Sequence, residues 1–362
     1  MKQDVGTQSQ IKYYDVEENE MNNGTITVYD IAKEAGVSPA TVSRVLTNSA
    51  RVSEEKKNRV QEIIKKYDFE PNGFARSLSK QESKTIGMIV PDIRNPFYST
   101  LFVNCEMEAS RYGYNMILCN TINELSSESG HLRNLLEKRV DAIIQVGGSV
   151  DEVEPDPVYI ELVNKVAAKI PIVAAGELVG ANVYRIIPEQ THGMNDLLSY
   201  LIGLGHKDIA LVGGRDTVIP TMKKRVALRN YLKDQGIPIR DEYIIDSEYS
   251  IEGGYEGMQT LFKLGNLPTA IIGINESAAM GIVKALREKS IRVPEDISVV
   301  GYDDTYFSEI ITPQLTCISY NLRLYAEMIM ETIINILNKT EKEELRYVPT
   351  NLSERSSCKS LL

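Results

Sequence analysis

The chain has 362 residues, 43% hydrophobic and 25% charged, with a formal net charge of -10, which is core enough for two or three domains and argues against a disordered chain. No run approaches the roughly 18 apolar residues of a membrane span, and the N-terminus is polar and acidic rather than basic and then apolar; no membrane association is expected, and a cytoplasmic location is. Cys105, Cys119, Cys317 and Cys358 lack C-x-x-C spacing and only His131, His192 and His206 accompany them, so free thiols are expected, with no metal site and no other cofactor.

Residues 1–26 hold two lysines against five acids and show no apolar periodicity, which predicts a mobile tail. Residues 27–80 reverse the balance, with ten Lys and Arg against seven Asp and Glu. A basic segment on an acidic chain is the charge pattern of a nucleic-acid-binding head on a larger body. Thr27, followed three residues later by Asp30, reads as a capping box opening a helix that buries Ile31, Ala32 and Ala35. Gly36 ends it. Ser38 then caps a second helix with Pro39 at its first position; Val42, Val45 and Leu46 line one side, and Ala40, Thr41 and Arg44 the other. A third helix opens at Ser53, with Glu54 and Glu55 at its positive end and a stripe of Val60, Ile63, Ile64 and Tyr67. Such helices make either a helix-turn-helix unit, whose second helix offers its polar face to the major groove, or a plain three-helix bundle. After Pro71 the segment NGFARSL is too short to hold alone, since helices below about 12 residues are marginal in water. It is a hinge that folds only against DNA and a partner chain, or a simple linker.

From Thr85 onward short β-rich runs alternate with helices: TIGMIVPD, NMILCNT, AIIQVGG, PIVAAG, YRIIPE, IALVGG, AIIGIN and ISVVGYDD. This predicts a parallel, doubly wound α/β body. Ligands in such sheets sit beyond the carboxyl ends of the strands, which nominates Asp92 through Tyr98, Asn120, Ser149, Glu189, Asp216, Asn275 and Asp303. Capping of the following helices is the other role open to each. An enzyme is not expected, because the chain has no G-x-S-x-G elbow, no G-x-x-x-x-G-K-[ST] loop and no G-x-G-x-x-G after a strand.

The segments VYDIAKEAGVSPATVSRVLTNS, YDFEPNGFARSL, VPDIRNPFY, LIGLGHKDIALVGG, VPEDISVVGYDD and VPTNLSERSS follow one another in an order that resembles the LacI/GalR family of bacterial transcription regulators, over about residues 27–357. The resemblance implies a helix-turn-helix head over 27–70, a hinge helix over 71–80 and a periplasmic-binding-protein-like body over 84–357. The body's N-subdomain would take about 84–177 and 320–340, and its C-subdomain about 178–319 and 341–357. It also implies a homodimer on a palindromic operator, with a small sugar or nucleoside as effector. Carried over by position, Pro39, Ala40 and Arg44 would face bases, while Thr27, Tyr29, Ser38, Thr41 and Asn48 would hold phosphates. Leu78, flanked by Ala75 and Arg76, would wedge into the central base step. In the body, Phe97, Tyr98 and Tyr249 would be aromatic effector contacts and Arg225, Asn275 and Asp303 a polar clamp, with Ser149 at a neighbouring strand end; an ion pair between Arg225 and Asp303 that serves only structure is the other reading.

Three departures touch the pocket: Leu228 stands for a usual glycine, Pro188–Gln190 for an aspartate-asparagine pair, and Glu276 for an aspartate. Some relatives answer to a phosphorylated carrier protein through a basic pair on the helix that Arg323 to Leu337 would form. The matching positions here are Glu331 and Asn335, so that partner is not expected. A constitutive regulator with a degenerate pocket remains the alternative to a ligand-controlled repressor.

Overall fold

The computed structural model describes residues 26–47, 51–69, 82–341 and 343–362, and the chain divides into a unit ending at Gln81 and a unit beginning at Glu82. In the first unit, α1 (Val28–Ala35) starts on the capping box: the Thr27 hydroxyl and main-chain N–H both donate to the Asp30 carboxylate, and Asp30 N–H donates back to Thr27 Oγ1. Gly36 closes the helix at φ 64°, a left-handed value that favours glycine. α2 (Pro39–Thr47) starts on Ser38, whose Oγ accepts from Thr41 N–H at 3.2 Å. α3 is Glu54–Lys66. Ile31, Ala32, Ala35, Val42 and Val60 form the core, with Val45, Leu46, Ile63 and Ile64 packed against it. Tyr67 departs from the expected stripe. It lies one residue past the helix, 39% exposed, with Lys66 Nζ 4.7 Å above its ring, and Phe69 takes the apolar position instead.

The second unit begins with β1 (Thr85–Val90), α4 (Pro96–Arg111), β2 (Asn115–Asn120), α5 (Leu125–Glu137), β3 (Ala142–Val146), α6 (Pro157–Ala167), β4 (Ile172–Ala175) and β5 (Tyr184–Pro188). It continues with α7 (Gln190–Gly203), β6 (Ile209–Val212), α8 (Ile219–Asp234), β7 (Ile244–Ile245), α9 (Ile251–Lys263) and β8 (Ala270–Gly273). α10 (Glu276–Glu288), β9 (Ser298–Asp303), α11 (Phe307–Ile310), β10 (Thr316–Ser319), α12 (Leu322–Leu337), β11 (Leu345–Val348) and β12 (Asn351–Ser353) complete it. These strands form two six-stranded sheets, ordered β11-β5-β4-β3-β1-β2 and β12-β10-β9-β8-β6-β7. All pairings are parallel except β10 with β12.

Both faces of each sheet are covered, which is why the strands read as continuous apolar runs. In the first sheet Met88 and Val90 join one cluster and Ile89 another; in the second, Leu211 and Ile272 separate from Ala210 and Ile271 in the same way.

The chain passes between sheets at Pro188–Gln190, after Ser319, and between Val348 and Asn351. The boundaries expected from sequence are about 177, 319 and 340; the crossings that follow β5 and β11 come later than the first and last of these, because β5 and β11 pair with each other in the first sheet. That pairing joins segments far apart in sequence, with Arg346 opposite Ile186. α12 packs on α4 beneath the first sheet. α9 and α10 cross closely enough that a Cβ at Gly254 or Gly281 would lie 2.0 Å from a main-chain oxygen of the other helix, which fixes the start of α10 beside the cleft.

Candidate functional site

In the first unit, the side of α2 away from the core carries the residues expected at DNA. Pro39, Ala40 and Arg44 are exposed, as are Thr27, Ser38 and Tyr29, the last at 74%; Thr41 is half-buried. Ser38 and Thr41 share a 2.9 Å hydroxyl contact, and Thr27 is engaged by Asp30, so these hydroxyls are oriented by the helix starts they cap. Asn48, Ala75, Arg76 and Leu78 lie outside the described residues.

The second unit holds a cavity of about 120 Å³ between the carboxyl ends of its two sheets. The cavity is lined from the first sheet by Asn95, Phe97, Tyr98, Asp151 and Glu177, and from the second by Lys223, Lys224, Tyr249, Asn275 and Asp303. Tyr320, Tyr325 and Gln190 close it where the chain crosses. Asn95 caps α4 through a 3.0 Å bond from Phe97 N–H, with Pro96 in the first turn. That start aims Phe97 and Tyr98 inward, their rings edge to face at 5.2 Å, and Phe97 meets Tyr320 in the same way at 6.0 Å. Tyr249 OH shares a proton with Thr221 Oγ1 at 2.7 Å and accepts from Arg215 N–H. Asn275 caps α10 through its Oδ1 and donates its Nδ2 to the Tyr249 carbonyl at 3.1 Å.

Phe97, Tyr98, Tyr249, Asn275 and Asp303 thus line one cavity, whereas Arg225 and Ser149 do not line it. Ser149 lines an adjoining space that shares Tyr98, Asp151 and Tyr249 with it. Arg225 is 5% exposed and turned away. Its guanidinium reaches Asp216 at 2.8 Å, Asp246 at 2.7 Å and the carbonyls of Gly213 and Gly214, pinning the β6–α8 turn. It makes no pair with Asp303. The cations that line it are Lys223 and Lys224, the latter one residue before Arg225 and so about 100° around α8. Lys224 Nζ donates to Ile274 O at 2.9 Å and stands 3.7 Å above the Tyr302 ring. Among the remaining strand-end candidates, Asp92 pairs with Arg94 and Asn120 accepts from Ile93 N–H, both serving local structure. Glu189 gives way to its neighbour Gln190, which accepts from Tyr320 OH at 2.8 Å.

Charge in the cavity is incompletely matched. Burial pulls the Lys224 ammonium below the usual lysine range, opposed by the carboxylates of Asp303 and Asp151. Burial likewise pushes Asp303 up, and Lys224 opposes the shift. The Asp151 carboxyl is pushed up to about 7, first by burial and then by Glu152 and Glu177. Neither Asp151 nor Asp303 forms an ion pair among the described residues, while Lys223 is bonded to Glu177. The interior therefore offers a buried ammonium with unused donors, two carboxylates with unused acceptors and several aromatic faces. This donor and acceptor set suits vicinal hydroxyls on a small ring.

One side of the cleft is bridged by main chain. Val153 N–H donates to Thr217 O at 2.8 Å, Ile219 N–H donates to Asp151 O at 2.7 Å, and Glu152 and Val218 form an antiparallel bridge between them. Asp151, Lys223 and Lys224 are the site residues that the sequence did not single out. No periodicity separates Lys224 from Arg225, since both are buried on α8.

Among known families, residues 27–72 match the bacterial regulatory proteins of the lacI family, and residues 198–358 match the periplasmic binding protein-like domain. Catabolite control protein A of Priestia megaterium is 32% identical over 337 residues, 92% of this chain and 99% of that protein. The HTH-type transcriptional regulator RegA of Clostridium saccharobutylicum is 35% identical over 334 residues, 91% of this chain and 98% of that protein. Among solved structures, the Lac repressor dimer bound to operator and the anti-inducer ONPF superimposes with a TM-score of 0.80 at 24% identity, covering 92% of this chain and 99% of that one, a likeness of fold. None of the described helices is long and apolar enough to cross a membrane. With a capped helical head in the first unit, a two-sheet body in the second and transcription regulators matching along nearly their whole length, the chain belongs to the LacI family of DNA-binding transcription regulators.

Proposed function

We propose that this regulator acts as a homodimeric repressor on a palindromic operator and that a small, sugar-like effector in the body's cleft controls its grip on DNA. On this reading α2 lies in the major groove with Arg44, Ala40 and Pro39 toward base edges, while Thr27, Tyr29, Ser38 and Thr41 hold phosphates. Asn48 would join the phosphate contacts, and Ala75, Arg76 and Leu78 would form the minor-groove hinge. The observation that carries the effector is the small cavity holding Lys224, Asp151 and Asp303 without direct ion pairs, walled by Phe97, Tyr98 and Tyr249. Support comes from solved relatives of the same fold: a regulator CelR in complex with cellobiose and a LacI family regulator from Enterococcus faecium with bound ribose. The clamp in this chain is Lys224, Asn275 and Asp303, with Asp151 facing them and Arg225 behind.

The test is selection of operator fragments from genomic DNA, followed by operator titration with and without a panel of sugars. An effector should change operator affinity by roughly 5- to 150-fold, the usual range of coupling between two sites. Asp303→Ala should abolish that change and leave ligand-free DNA binding intact. A sugar that occupies the cleft without altering operator affinity would leave a constitutive regulator as the function.

A further inference from the structure

The turn that delivers Asp303 to the cleft is held from behind by a carboxylate that does not line the cavity. Asp303 and Asp304 both have positive φ, 87° and 60°, a left-handed conformation that residues other than glycine keep only when their surroundings enforce it. Asp304 is fastened by Ser353 Oγ at 2.7 Å and Arg355 Nη1 at 2.6 Å. Beyond it, the hydroxyls of Thr305 and Ser308 each donate to one oxygen of the Glu276 carboxylate. All three of these residues are buried, Glu276 at 2% exposure. Glu276 is also the first residue of α10, next to the cap residue Asn275, and its main-chain amide favours the charged form of the Asp303 carboxyl.

One residue therefore ties together the two clamp members contributed by different loops. We propose that Glu276 is a positioning residue: it fixes the spacing between Asn275 and Asp303 and thereby sets which pairs of ligand hydroxyls the cleft accepts. A carboxylate fits this task because both partners donate, and each of its oxygens accepts one hydroxyl. An amide at the same place has a single acceptor oxygen, so one hydroxyl must turn away, as Ser308 can toward Cys317 Sγ at 3.2 Å. Shortening the side chain leaves one of the two hydroxyls out of reach. The inference rests on the reading of the cleft as a sugar site.

The experiment measures binding of D-glucose, D-galactose, D-ribose and cellobiose by calorimetry to the full chain, to Glu276→Gln, to Glu276→Ala and to Leu286→Ala. Leu286 is buried on the same helix, away from the cleft, and controls for loss of stability alone. All titrations are run well below the lowest melting temperature of the set. The expected result is that Glu276→Ala weakens the best sugar at least 10-fold and narrows its lead over the others. Glu276→Gln should recover part of both, and Leu286→Ala should stay within about twofold of wild type. The inference is overturned if folded Glu276→Ala keeps the wild-type affinity and order of preference, or if Leu286→Ala loses as much. A wild type that binds none of the four sugars overturns the sugar-site reading itself, and this inference with it.

Discussion

Replacing Lys224 with methionine separates the two basic residues that compete for the role of clamp cation. Lys224 is 4% exposed and makes no direct ion pair, and its ammonium is held by one carbonyl and the face of Tyr302. An apolar chain of similar length removes the burial penalty together with those contacts, so stability of the empty protein should move by no more than about 1–2 kcal/mol. A ligand, by contrast, loses a hydrogen bond from a charged donor, worth about 1.5–3 kcal/mol, which is roughly 10- to 150-fold in affinity. At a sugar concentration of 100 times the wild-type Kd, the wild type gains about 2.7 kcal/mol of stability, and Lys224→Met should gain only about 0.3–1.4 kcal/mol by the same relation. Arg225→Met should behave oppositely, losing about 1–3 kcal/mol of stability as the Gly213 and Gly214 carbonyls go unpaired, with ligand affinity kept. Thermal melts with and without sugar read both quantities. If Arg225→Met abolished the ligand-dependent gain while Lys224→Met retained it, the placement of Lys224 as the clamp cation would be wrong.

Arg44→Ala should cost about 1–3 kcal/mol of specific binding and relax preference at one base pair in each operator half, read by competition with single-base operator variants; an equal loss on all sequences would make Arg44 a phosphate contact. Thr27→Ala removes the cap of α1 and should lower stability of the head by about 0.5–2 kcal/mol, measured as a shift of its urea midpoint; an unchanged midpoint would show that the box adds nothing. Asp151 has a raised folded pKa of about 7, so the folded state binds the extra proton and Asp151 weakens the fold increasingly as pH rises from about 4 to 7. Asp151→Asn should therefore melt progressively higher than wild type over that range and plateau above it, by about 1–2 kcal/mol once access of water through the cleft is discounted; a constant offset from pH 5 to 8 would contradict the buried carboxyl.

Much of the fold was legible because it is written locally. The capping box at Thr27, the glycine stop at Gly36 and the buried triplet Ile31, Ala32 and Ala35 are each set by residues within one or two turns of one another. The eight apolar runs all became strands for the same reason. Partner choice is not local: nothing in LRYV says that it will lie beside YRIIP, and the later outer crossings follow from that. The clamp failed at a finer grain. On a helix one position is about 100°, so a motif that matches at Arg225 does not decide whether Arg225 or Lys224 turns inward. That is settled by Asp216 and Asp246, which take the guanidinium outward. Asp151 escaped notice because it lies past the strand end, after the short 3-10 turn Gly148–Val150, in a loop whose course depends on Thr217 and Ile219 across the cleft.

The two main-chain bonds that bridge the cleft make its opening a countable event. The amide hydrogens of Val153 and Ile219 exchange with solvent only when the halves part there, so their exchange rates report the open population directly. At about 0.5–1.5 kcal/mol net for each bond, the pair together shifts the balance toward closure by roughly 5- to 150-fold. A ligand that enters through this side meets only the open fraction, and its apparent affinity and association rate scale with that fraction. A proline at position 153 or 219, lacking the donor, would raise the open fraction and shorten the wait without touching a single cavity-facing polar side chain.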